Sequence, residues 1–68
     1  MVIQLYDVNN DEYITEFEID GDLTDAIMVV NEITHYYEDG VQYNRANNKI
    51  GYNLTSNSIE IQVERLGE

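Results

Sequence analysis

Asp22-Leu23-Thr24-Asp25-Ala26-Ile27-Met28-Val29-Val30-Asn31-Glu32-Ile33-Thr34-His35-Tyr36-Tyr37-Glu38-Asp39-Gly40 is the stretch on which the fold turns. Leu23, Ala26, Ile27, Val30, Ile33, Thr34 and Tyr37 lie on one stripe at the 3.6-residue period. That stripe predicts a single helix over 23–39 whose apolar face covers a sheet. Asp22 stands where an N-cap belongs, Asp25 adds negative charge near the positive helix end, and Gly40 suits the left-handed position after a last turn. Opposite the stripe, Asp25, Glu32 and Asp39 are spaced by seven and stack roughly 10 Å apart on one line, with Met28 and His35 among them. Val29 and Tyr36 widen the stripe on one flank and Met28 lies outside it, so these side chains are candidates for an apolar contact within a charged rim.

Working outward, Val2 to Val8 carries apolar residues on both faces, Val2, Tyr6 and Val8 on one and Ile3 and Leu5 on the other, as a central strand does. Asn9-Asn10-Asp11 supplies turn residues that tolerate left-handed backbone. The next segment alternates, with Tyr13, Thr15, Phe17 and Ile19 inward and Glu12, Ile14, Glu16 and Glu18 outward, so the first two strands should form a hairpin. After Gly40 the pattern predicts three short strands. Val41–Arg45 has Val41 and Tyr43 inward, Lys49–Leu54 has Ile50, Tyr52 and Leu54 inward, and Ser58–Arg65 has Ile59, Ile61 and Val63 inward, with turns at Ala46-Asn47-Asn48 and Thr55-Ser56-Asn57. The expected fold is α+β, ββαβββ, with one helix packed on one face of a small, mainly antiparallel sheet.

The 68 residues suit one domain over 1–68, with one core supplying nearly all the stability. There is no Cys to form a disulfide and no Cys/His cluster to hold a structural metal, which accords with a reducing, cytoplasmic setting. The first residues have no basic region and reach Asp7 before an apolar run could serve as a signal or membrane segment, so a soluble protein is expected.

Charge is the strongest compositional fact: 14 acidic residues against 3 basic give −11. Residues 1–40 hold six Asp and five Glu with no Lys or Arg, whereas in 41–68 Glu60, Glu64 and Glu68 are cancelled by Arg45, Lys49 and Arg65. A field of this sign repels nucleic acid and anionic membranes and attracts basic surfaces. Six Tyr do not make a base-stacking platform without a basic groove beside them.

One segment resembles the twelve-residue EF-hand calcium loop. Asp7-Val8-Asn9-Asn10-Asp11-Glu12-Tyr13-Ile14-Thr15-Glu16-Phe17-Glu18 has oxygen donors at Asp7, Asn9, Asp11, the Tyr13 carbonyl, Thr15 and Glu18, with Ile14 at the apolar position. The resemblance implies calcium. It departs from that family where Glu12 replaces the Gly of the sharp turn, where only six β-prone residues precede the loop, and where no second loop pairs with it. The strand alternation explains the same residues, and neither cofactor nor metal is expected.

Catalytic constellations are thin: His35 is the sole His, and no phosphate-binding Gly-rich loop or Ser-centred elbow occurs. A non-enzymatic protein follows. The acidic surface reads either as a solubility device or as an imitation of nucleic-acid phosphates. Outward residues two apart on a strand lie about 6.6 Å from each other, so Glu16 and Glu18 repeat at a scale of roughly two base steps of 3.4 Å. Asp20, Asp22 and Asp25 extend that trail into the helix start. Self-repulsion among so many unpaired charges is a folding cost that solubility does not require. The expected function is therefore that of an inhibitor occupying the basic site of a nucleic-acid-binding protein, without binding nucleic acid or membrane itself. Glu12, Glu16, Glu18, Asp20, Asp22, Asp25, Met28, Glu32 and Asp39 are the partner-binding residues under this reading. In general kind such a protein is similar to small acidic viral and plasmid inhibitors of restriction, CRISPR or repair enzymes. The alternative is a small acidic adaptor that forms a homodimer through a sheet edge.

Overall fold

The computed structural model describes residues 1–67. Strands β1 (Val2–Asp7) and β2 (Glu12–Glu18) precede helix α1 (Leu23–Glu32), and β3 (His35–Glu38), β4 (Val41–Asn53) and β5 (Ser58–Arg65) follow it. The fold is α+β with the expected ββαβββ order. Its five strands form one sheet in the order β2-β1-β5-β4-β3. Three neighbouring pairs are antiparallel and the β1–β5 pair is parallel, so β1 and β5 are interior strands.

The core is small. Ile3 and Leu5 of β1, Ala26 and Val30 of α1, and Ile59, Ile61 and Val63 of β5 are its fully buried members, with Phe17, Val29, Ile33, Tyr36, Tyr43 and Ile50 among the side chains packed around them. The alternation of β1 and β5 thus aims one face of the sheet at the helix. Tyr36 on edge strand β3 and Phe17 on the opposite edge strand β2 both pack against the same core. The sheet therefore curls around the core and leaves its other face convex.

Helix α1 starts as its sequence dictates. The Asp22 carboxylate accepts the Asp25 N–H at 3.2 Å, and the Asp25 carboxylate accepts the Asp22 N–H at 3.1 Å, a complete capping box. Its end is a correction: the helix stops at Glu32, not near residue 39, and Ile33 is already extended. Thr34 to Tyr37 is β-branched and aromatic, and its residues also fit a two-residue period with Tyr36 inward. Asp39 and Gly40, expected as helix end and C′ residue, form the two-residue loop between β3 and β4, with φ of 51° and 78°. A two-residue hairpin with both φ positive is the turn that Asp-Gly favours. His35 is accordingly a strand residue, and Asp39 does not lie on the line of Asp25 and Glu32.

The helix face turned to the core is Ala26 and Val30, fully buried, with Val29 partly buried beside them and Ile33 just past the end, rotated from the expected stripe, and it leaves Leu23 and Ile27 exposed. Two irregularities move other side chains. Leu5 pairs with Thr15 but Tyr6 pairs with Tyr13, so Ile14 is an extra residue that packs on the core while Tyr13 turns outward, 49% exposed. The two strands expected at Val41–Arg45 and Lys49–Leu54 are one strand: the pairing passes from Arg45–Val63 to Ile50–Ile61, and the expected turn at Ala46-Asn47-Asn48 is a wide bulge within it. Asn47 spans that bulge, its Nδ2 donating to the Gln62 Oε1 at 2.6 Å. Tyr52 and Leu54, expected inward, are exposed near the end of β4.

Gly40 tests the corrected hairpin. A Cβ there meets no atom within 4 Å, so Gly40→Val acts only through its backbone and should cost about 1–3 kcal/mol, whereas Gly40→Asn should cost less because Asn tolerates left-handed backbone. Urea denaturation reads the cost, and backbone chemical shifts should report strand, not helix, at 35–38.

Candidate functional site

The acidic residues do not form one continuous trail. Asp20, Asp25 and Glu32 line a shallow groove of about 390 Å³ on one flank of α1, with Met28 and Val29 as its apolar part. Asp20 lies just past the end of β2, and the other four are brought to that flank by helical spacing. Met28 is 61% exposed. Four of the expected partner-binding residues thus meet in one place, an apolar thioether ringed by three carboxylates. Asp22 is beside them in sequence but does not line the groove, and it shares the helix capping box with Asp25.

The remaining candidates lie elsewhere. Glu16 pairs with Gln4 and Glu18 with Val2, which puts both on the convex face of the sheet, away from Ile3 and Leu5. Tyr13 donates its hydroxyl to the Glu16 Oε1 at 2.6 Å, and this hydrogen bond to a carboxylate pushes the tyrosine pKa up to about 12. Glu12 sits opposite Asp7 at the start of β2. Asp39 is at the β3–β4 hairpin tip.

Three residues take roles here that sequence patterns did not assign them. Arg45 Nη1 donates to the Val30 carbonyl at 2.7 Å, which also accepts the Ile33 N–H at 3.1 Å, and to the Ile33 carbonyl at 3.4 Å, placing a cation at the negative end of α1. Asp7 is almost wholly buried, its Oδ1 accepting the Asn9 and Asn10 N–H groups at 3.0 and 3.2 Å and its Oδ2 the Asn10 side-chain amide at 2.8 Å. Burial alone would raise its pKa; the bonds from Asn10 and Asn9 and the charge of Arg65 outweigh that and hold the carboxyl below its ordinary 3.8. Tyr36 is raised by burial, then by Glu38, with Thr15 acting the other way.

The segment that resembles a calcium loop is the β1–β2 hairpin. Its Asp7 carboxylate is spent on local amides, Asp11 takes the left-handed turn position with φ of 52°, and no set of three His, Cys, Asp or Glu that would hold a metal ion occurs among the described residues. No helix is long and apolar enough to cross a membrane among those residues. No family model matches the chain, and no curated protein or solved structure is significantly similar to it.

The Asp7 arrangement has a pH signature. Its folded-state pKa lies below the unfolded value, so its contribution to stability is full above about pH 4 and is lost as pH falls through the folded value. Asp7→Asn should therefore be less stable than the parent at pH 7, and the difference should shrink on acidification below 3.8. Thermal melts of both proteins from pH 7 to 2 check this; a constant difference would contradict it.

Proposed function

We propose that this chain is a non-enzymatic inhibitor that occupies the basic, nucleic-acid-binding site of another protein by imitating phosphates. The observation that supports it is the separation of charge. Arg45 turns inward onto the end of α1, and Arg65 acts on the buried Asp7. Outside, Glu18, Asp20 and Glu32 have no ion-pair partner among the described residues, and Glu16 is engaged only by the neutral Tyr13. A basic partner offers these carboxylates the compensation that the fold withholds.

The groove around Met28 supplies what charge alone lacks, an apolar contact ringed by polar groups. The protein would act in the cytoplasm, as an anti-defence or anti-repair factor of a virus or mobile element, binding neither nucleic acid nor membrane. A homodimer through a sheet edge finds less support. Edge strand β2 carries Glu12, Glu16, Glu18 and a bulge, and edge strand β3 has 4 residues, features that discourage edge-to-edge pairing.

The immobilised chain should capture a basic nucleic-acid-binding protein from its native host. The complex should weaken steeply between low and physiological salt, duplex DNA should compete for it, and Asp20→Lys with Glu32→Lys should reduce it without loss of fold. Met28→Ala should cost more than about 1 kcal/mol of binding. A complex indifferent to salt, DNA and charge reversal would overturn the proposal, and a salt-resistant dimer in sedimentation would favour the adaptor.

A further inference from the structure

Strand pairing assembles a surface that the distribution of charge along the chain conceals. Glu16 on β2 is opposite Gln4 on β1, Gln4 opposite Glu60 on β5, and Glu60 opposite Gly51 on β4. Paired residues share a face of the sheet, and these four lie on the face turned away from α1 and the core. Glu18 takes the neighbouring row, with Val2, Ser58 and Asn53. Glu64, four residues beyond Glu60, falls on the same face. By the same parity Arg45 and Arg65, paired with Val63 and Tyr43, belong to the covered side. The balance counted over residues 41–68 is therefore reduced on the convex face: its glutamates point one way and Arg45 and Arg65 the other, which leaves exposed Lys49, two residues before Gly51 on the β4 bulge, as the nearby cation.

Two rows result. Glu16 and Glu18 stand about 7 Å apart on β2, and β5 with Glu60 and Glu64 runs about 10 Å away, two strand spacings across. Between β1, β4 and β5 lies a hollow of about 180 Å³, lined by Gln4, Gly51, Asn53, Ser58 and Glu60 among others. Gly51 lines it without a side chain, and a Cβ there would stand in ordinary contact, 3.8 Å, with the Glu60 Cβ and carbonyl oxygen. Glu60 and the Gln4 amide have no hydrogen-bond partner among the described residues and are free to accept.

We propose that the convex face of the sheet is the docking surface for the basic partner, and that the hollow beside Gly51 receives an arginine side chain of that partner against Glu60 and Gln4. The inference rests on the phosphate-mimic reading and names the face it uses. A carboxylate and an amide oxygen side by side match the several N–H donors of a guanidinium. A convex surface with two rows of negative charge suits a basic cleft shaped for nucleic acid, while the same charge repels a second copy of this chain.

The test is titration of the isotope-labelled full chain with an oligoarginine peptide at low salt, followed by amide shifts. Shifts should centre on Gln4, Gly51 and Glu60. Glu60→Gln and Gly51→Val should each weaken binding by about tenfold, the second by filling the hollow with no change of charge, while Asp11→Asn at the exposed β1–β2 turn changes it by less than about twofold. Thermal melts confirm that each variant folds; Gly51 has ordinary backbone and little steric conflict at its Cβ. Shifts centred on Asp20 and Glu32, with Gly51→Val silent, would overturn the sheet-face site and leave the mimic reading intact. Equal loss from every carboxylate variant would also overturn the site. Concentration-dependent shifts at these amides without peptide would assign the face to self-association and overturn it, and absence of binding would remove both readings.

Discussion

Arg45 is the interaction on which much of this small fold depends. A ten-residue helix has too few turns to be stable in isolation, and α1 has no basic residue in its last turn to meet the negative end of its dipole. Arg45 comes from β4 instead, and its guanidinium reaches the Val30 and Ile33 carbonyls as the chain leaves the helix. The Arg45 N–H also donates to the Thr34 carbonyl, so backbone and side chain together hold the α1–β3 junction to β4. Its Nε is buried without a hydrogen-bond partner among the described residues, a cost that the two carbonyl bonds must offset. This arrangement places a charge between helix and sheet that its position in the chain would assign to the surface.

The same contact shapes the electrostatics outside. A formal charge of −11 with three cations already implies repulsion, and the fold increases the imbalance at the surface by directing Arg45 inward. Lys49 remains exposed on the β4 bulge. Both candidate contact regions remain negative: the Met28 groove is lined by carboxylates alone among its charged groups, and the convex sheet face sets Glu16, Glu18, Glu60 and Glu64 against one exposed cation, Lys49. They lie on different sides of the molecule, which offers a partner two ways to engage and makes mutations on each side informative alone.

What was legible in the sequence is what local rules decide. The Asp22–Asp25 cap, the buried alternation of Ile3 and Leu5, and that of Ile59, Ile61 and Val63 follow from short-range spacing. The helix end was not, because Ile33, Thr34 and Tyr37 satisfy the helical period as well as strand, and only the Asp39-Gly40 turn and pairing with β4 decide between them. Bulges defeat alternation in a different way: one extra residue at Ile14 was enough to exchange Tyr13 with it between faces. Of the expected contact residues, Asp20, Asp25, Met28 and Glu32 converge because helical spacing is local. The neighbourhood of Glu16 with Glu60 was hidden, since it depends on a parallel pairing of the two ends of the chain.

The central claim is that the outward carboxylates are uncompensated by the fold itself. Its most direct measurement is the unfolding free energy of the intact chain by urea denaturation as NaCl rises from low concentration to about 0.2 M, where screening falls below roughly 10 Å. Stability that climbs with salt is the predicted result, because screening relieves repulsion that is stronger in the compact state. Stability that falls with salt would contradict the account, for it would mean that attractive pairs dominate the surface.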